Sequence, residues 1–223
     1  IDTLFNQNVT LANVLALRKK LLQTGVNDRI IVSYSGHGLL NKNFDYYLST
    51  YTINFHKPED GGLPYTSFER LLDSLPARKK LLLIDACHSG EVDREEQDRM
   101  KVAFADTTQS LKNGSKSGIE LLFDEEQTVG LKNSFELMQE IFVDVGRGTG
   151  TTVISAAAGT QVAYEKGELK NGVFTYCVLQ ILAEKPNCTV QELKTYVSTE
   201  VEHITNGLQK PTSRTETAGF DWQ

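Results

Sequence analysis

Apolar positions along this chain follow two rhythms, one with helical spacing and one of short unbroken runs. Leu11, Val14, Leu17 and Leu21 recur three or four residues apart behind Thr10, a candidate N-cap, and Gly25 stops the pattern. That spacing predicts a helix. "RIIVSYS" (29–35) is short, β-branched and aromatic, which predicts a buried strand running directly into Gly36-His37-Gly38. "DYYLSTYTI" (45–53) predicts a further strand or hairpin arm. "TSFERLLDSLP" opens with Thr66 and Glu69 at capping-box spacing, offers Phe68, Leu71, Leu72 and Leu75 to a core, and ends at Pro76. A strand at 80–85 follows.

From Glu91 to about Gly130 the pattern breaks down into dense charge and the stretch "KNGSKSG", which predicts an exposed insertion. Order returns with a predicted helix from Asn133, with Glu136 at N3 and Met138, Ile141, Phe142 and Val145 on its apolar face. "GTTVISAAAG" (150–159) predicts a buried strand, and a helix is expected over 173–184. Another helix starts at Thr189, with Glu192 as capping partner and Val190, Leu193, Val197, Val201 and Ile204 on one face. The tail, "KPTSRTETAGFDWQ", shows little periodicity, and no internal repeat is present. Strands near 30, 81 and 151 alternating with helices predict an α/β sandwich on a largely parallel sheet, whose ligands gather at strand carboxyl ends.

Composition narrows the partners. With 223 residues, 39% hydrophobic, and a formal net charge of −6, the chain suits one large or two small domains and suggests neither a nucleic-acid nor an anionic-membrane surface. No apolar run approaches the roughly 20 residues of a spanning helix. Cys87, Cys177 and Cys188 are odd in number and lack zinc-like or CxxC spacing, which favours free thiols in a reducing, cytoplasmic compartment. No metal or other cofactor is expected, because Cys87 and His88 lack further ligands at sensible spacing. "GRGTGT" (146–151) precedes a strand instead of following one, so it is a turn and not a phosphate loop.

The chemistry sits at two predicted strand ends, "SYSGHG" and "IDACHSG". A cysteine peptidase needs a thiolate, a base and donors for an oxyanion. Cys87 and His37 supply the first two, and the backbone N–H groups of Gly38 and Cys87 are the candidate donors. His37 and Cys87 lie 87 − 37 = 50 residues apart, a spacing known for caspases. His88 follows the nucleophile, but adjacent strand residues point apart, so it is not the expected base. His56 and His203 lie outside any motif and are expected to be solvated.

"YSGHG" followed by "DACHSG" resembles the catalytic signature of the caspase-like cysteine peptidases, most closely metacaspases and bacterial caspase homologues. "DYYLSTYTINF", "GTTVISAAAG", "NGVFTYCVLQIL" and "KPTSR" extend the resemblance over most of the chain from Thr10. It implies a three-layer α/β/α sandwich in one peptidase domain over 1–223, divided into 1–90, the charged linker 91–130 and 131–223. It implies Cys87 as nucleophile and His37 as general base. It also implies an acidic S1 pocket in which Asp85, with Ser35 beside it, receives a substrate Arg or Lys, since a carboxylate pairs well with a guanidinium and poorly with an aspartate. Ser155 and Ala156, in "SAAAG", would form the far rim, and Asp45 is a candidate second acid. The family fold normally starts with a strand, a helix and a strand ahead of the equivalent of Thr10. An upstream fragment, or a sensor or repeat domain, is therefore an expected partner besides a protein or peptide substrate. Some metacaspases are regulated by calcium; Glu91 and Asp93 follow the nucleophile here, but without the spacing of a ligand loop. The competing functional readings are a relative with another P1 preference, such as Asp, and a non-catalytic interaction module on the same fold.

Overall fold

The computed structural model describes residues 1–41, 43, 45–89, 150–157, 163–215 and 221–222. The insertion after Glu91 and the predicted helix from Asn133 lie outside these residues.

Strand β1 (Arg29–Leu40) pairs in parallel with β4 (Lys79–Ser89), and β4 pairs in parallel with β5 (Thr151–Ser155). Short antiparallel strands flank these three: β2 (Tyr46–Leu48) and β3 (Leu63–Pro64) beside the end of β1, and β8 (Thr212–Thr215) beside β5. The sheet order is β3-β2-β1-β4-β5-β8, and β6 (Glu165–Lys166) and β7 (Asn171–Gly172) form a separate small hairpin. Helices α1 (Leu11–Leu21) and α2 (Tyr65–Asp73) cover one face. Helices α3 (Val173–Glu184) and α4 (Val190–Ile204) cover the other. This is the expected three-layer α/β/α sandwich with parallel central strands.

Strand parity splits the core. Leu82, Ile84 and Ala86 of β4 join Ile30 and Val153 in a cluster against α1 and α2, whereas Leu81 and Leu83 join Ile154 beneath α3 and α4. β4 is apolar on both faces because both are covered by helices, which explains its unbroken Leu-Leu-Leu-Ile.

Several expectations hold to the residue. Thr10 caps α1 by accepting from Asn13 N, and Thr189 and Glu192 form a complete capping box on α4. The box expected at Thr66 and Glu69 does not form. Pro64 is the N-cap of α2, which places Thr66 inside the helix, and Glu69 is instead buried in an ion pair with Arg214 of β8. β1 and β4 both run on through the glycine-flanked motifs, where the sequence pattern ended them at 35 and 85. The arm at 45–53 is strand only over Tyr46–Leu48, and the tail read as aperiodic contains the edge strand β8. Among the described residues no helix is long and apolar enough to cross a membrane.

Candidate active site

Register, more than proximity in sequence, assembles the site. In the parallel β1–β4 ladder Ser35 stands opposite Asp85 and His37 opposite Cys87. Neighbouring strands lie about 4.8 Å apart, so each pair shares one level of the sheet. Ile30, Val32 and Tyr34 pack toward α1 and α2, so Ser35 and His37 have the opposite parity. They belong to the face covered further along by α3 and α4. Cys87 is two residues beyond Asp85 on β4. Gly38 is buried and stands in register with His88 on one side and Leu48 on the other.

Asp85 is 2% exposed and reaches the first turn of α3, where the Thr175 hydroxyl donates to its Oδ2. Gly172, the N-cap of α3, makes room for this carboxylate: a Cβ there would come within 2.5 Å of Oδ2. A helix N-terminus favours a negative charge, and Asp85 lies against the first turn of α3. Thr175 meets Asp85 across 90 positions, so no local pattern marks it or Gly172 as part of the site. The signal available was "NGVFT", a glycine and a threonine spaced as N-cap and N3 of a helix.

His37 is half-buried, its imidazole edge-on to the Phe55 ring with centroids 5.6 Å apart and planes at 73°. Its N–H donates to Ser49 Oγ at 3.0 Å. Its carbonyl accepts from Ser49 N at 2.8 Å and from Tyr34 Oη at 3.0 Å. Tyr34 Oη also lies 2.8 Å from Ser49 Oγ, and burial pushes its pKa up to about 12, so it stays a neutral hydroxyl. Gly36 permits this arrangement, because a Cβ at that position would collide with the Tyr34 hydroxyl.

Of the expected rim, Ala156 packs with Leu81, Leu83 and Ile154 on the face of Asp85, whereas Ser155 has the opposite parity, with Ile84 and Val153. Ser155 pairs with Ile84, one position before Asp85, and donates to Ala157 O at 3.4 Å. Ala156 donates to Ile84 O at 2.7 Å. Fully buried Gln209 ties the rim down, donating to Ala156 O at 2.8 Å and accepting from Tyr164 N at 2.9 Å. Nothing in the sequence marked Gln209, since its partners lie 53 and 45 residues away. Asp45 does not join Asp85. It is exposed, bonded to Asn41 beyond the end of β1, six positions past Ser35 and on the order of 20 Å further along the strand at about 3.3 Å per residue. His56 and His203 are exposed, as expected. Cys177 and Cys188 are free and buried; burial raises both thiols, Cys177 to about 11.

A parallel sheet carrying a histidine and a cysteine in register at neighbouring strands defines a caspase-like α/β architecture. The family model of the caspase domain, peptidase family C14, matches residues 3–220, and the chain belongs to that family of cysteine peptidases. Among solved structures it is similar to protein GSU0716 from Geobacter sulfurreducens, with a TM-score of 0.56 and 19% identity over 96% of this chain and 76% of that one. No curated protein matches the chain.

Proposed function

We propose that the protein is a cysteine endopeptidase that cuts after Arg or Lys, with Cys87 as nucleophile and His37 as general base. The observation that carries this reading is the register itself, which pairs His37 with Cys87 and Ser35 with Asp85 across one parallel ladder. His37 accepts the thiol proton as Cys87 Sγ attacks the scissile carbonyl. The tetrahedral oxyanion is assigned to the backbone N–H groups of Cys87 and Gly38, two residues before the ends of β4 and β1. Collapse breaks the peptide bond as His37 returns the proton to the leaving amine, and water, deprotonated by His37, then hydrolyses the thioester.

The Asp85 carboxylate, fixed by Thr175 and the N-terminus of α3, is assigned to the floor of the S1 pocket, with Ser35 and Ala156 beside it. A desolvated carboxylate selects a substrate cation over an anion. The insertion is assigned to self-cleavage: it follows the nucleophile directly and offers Arg94, Arg99, Lys101, Lys112 and Lys116 as P1 residues. A fluorogenic peptide panel with Arg, Lys, Asp and Leu at P1 tests the reading. Wild type should cleave the Arg and Lys peptides, and Cys87→Ala none. Cleavage after Asp would overturn the pocket assignment, and turnover by Cys87→Ala the nucleophile assignment.

A further inference from the structure

A general base works only if its ring is held at a set position, and His37 lies near the carboxyl end of β1, three residues before Leu40. Here one residue engages both polar groups of its backbone. Ser49 Oγ accepts from His37 N at 3.0 Å, and Ser49 N donates to His37 O at 2.8 Å. Ser49 directly follows β2, so the β1–β2 turn returns the chain to His37 twelve residues later. The Tyr34 hydroxyl closes the arrangement, with Ser49 Oγ, Ser49 O and His37 O at 2.8, 3.0 and 3.0 Å. The protons balance. Ser49 Oγ–H donates to Tyr34 Oη, whose own proton is shared between the two carbonyls, while the lone pairs of Ser49 Oγ receive the His37 N–H. Gly36, which cannot carry a Cβ beneath that hydroxyl, and Phe55, edge-on to the imidazole, complete the mount.

We propose that Ser49 and Tyr34 are positioning residues that clamp the His37 backbone and thereby set the reach of its imidazole toward the nucleophile. The proposal rests on the reading of His37 as the base. It also predicts that the clamp acts on turnover more than on substrate affinity, because misplacing a proton acceptor raises the barrier without removing contacts to the peptide.

The test uses the full chain with Ser49→Ala, Ser49→Thr, Tyr34→Phe and His37→Ala, measuring kcat, KM, the pH profile and the NMR titration of the His37 imidazole, assigned by its loss in His37→Ala. Ser49→Ala should lower kcat by roughly 10- to 10²-fold, the cost of a displacement near an ångström, and move the His37 titration. KM should stay within about threefold, and Ser49→Thr, which keeps the hydroxyl, should recover most of the loss. Should Ser49→Ala fail to fold, Tyr34→Phe decides, since it keeps the ring and removes only the donor; it should lower kcat and move the titration in the same sense. An inactive His37→Ala together with unchanged kcat and titration in Ser49→Ala, or in Tyr34→Phe where that variant decides, overturns the clamp. Activity in His37→Ala would instead overturn the base assignment, leaving the titration to judge the clamp.

Discussion

Asp85 holds Thr175 and is proposed to receive the substrate cation, and substituting it separates the two roles. In Asp85→Asn the side chain keeps an oxygen to accept from Thr175 Oγ1, and the space left by Gly172 still fits it. What goes is the negative charge at the N-terminus of α3, worth 0.3–1 kcal/mol at an exposed site and up to about 2 kcal/mol when partly buried. Relief of burying an ion at 2% exposure works in the opposite direction. The net change in stability should therefore stay below about 2 kcal/mol, a melting shift of no more than about 8 °C in a domain this size. Asp85→Ala differs: it strands the Thr175 hydroxyl at about 1–3 kcal/mol and leaves a void. Activity should separate more sharply. Losing the charge that meets a desolvated guanidinium should lower kcat/KM on Arg substrates roughly 10²-fold, near 3 kcal/mol at about 1.4 kcal/mol per decade, with little change on a Leu substrate. The assay is the P1 panel on wild type and both variants, with a thermal melt of each. If Asp85→Asn melts far earlier than wild type yet keeps its preference for Arg, Asp85 only anchors α3 and the specificity argument is wrong.

Glu69→Ala should destabilise the fold by about 3–5 kcal/mol in chemical denaturation, because it leaves the Arg214 guanidinium, 14% exposed and 3.0 Å from Glu69, buried without that carboxylate; a loss under about 1 kcal/mol would show the pair to be hydrated. Burial, partly offset by Arg214, raises the Glu69 carboxyl above its ordinary value, so the folded state holds that proton to higher pH than the unfolded chain. Its contribution to stability is therefore present below the ordinary carboxylate range and lost as pH rises through the raised value, and melts of wild type against Glu69→Gln should show that difference shrinking as pH rises above the ordinary carboxylate range. With its thiol pushed to about 11, Cys177 should resist iodoacetamide in the native protein near neutral pH and react once unfolded; rapid native labelling, read by peptide mass, would contradict its burial. Deleting residues 105–120 should prevent self-cleavage or alter the rate of activation, and a fully active, never-cleaved wild type with an unaffected deletion variant would make the insertion a bystander.

The features most legible in the sequence are those encoded locally. Thr10, Thr189 and Glu192 announce their helix ends because a cap and its partner lie within three residues. β4 was legible because an apolar run flanked by turns leaves few alternatives. Glu69 misled for the same reason: capping-box spacing is local, whereas the buried partner that claims it lies 145 residues away on β8. The strand β8 itself, "TSRT", has no apolar alternation and exists because β5 supplies its ladder. At the site, His37, Cys87 and Asp85 could be named from two short motifs. The residues that support them could not, since Thr175 meets Asp85 across 90 positions and Ser49 meets His37 through a turn whose length does not reveal its register.

The central claim is that Cys87 forms the acyl-enzyme with His37 as its base, and covalent trapping tests it most directly. Incubating the protein with a peptidyl chloromethyl ketone bearing Arg at P1, followed by peptide mass mapping, should place one adduct on Cys87. The same incubation should give none on Cys177 or Cys188, and a much slower reaction in His37→Ala. An adduct elsewhere, or Cys87 labelled equally fast with and without His37, would contradict the account.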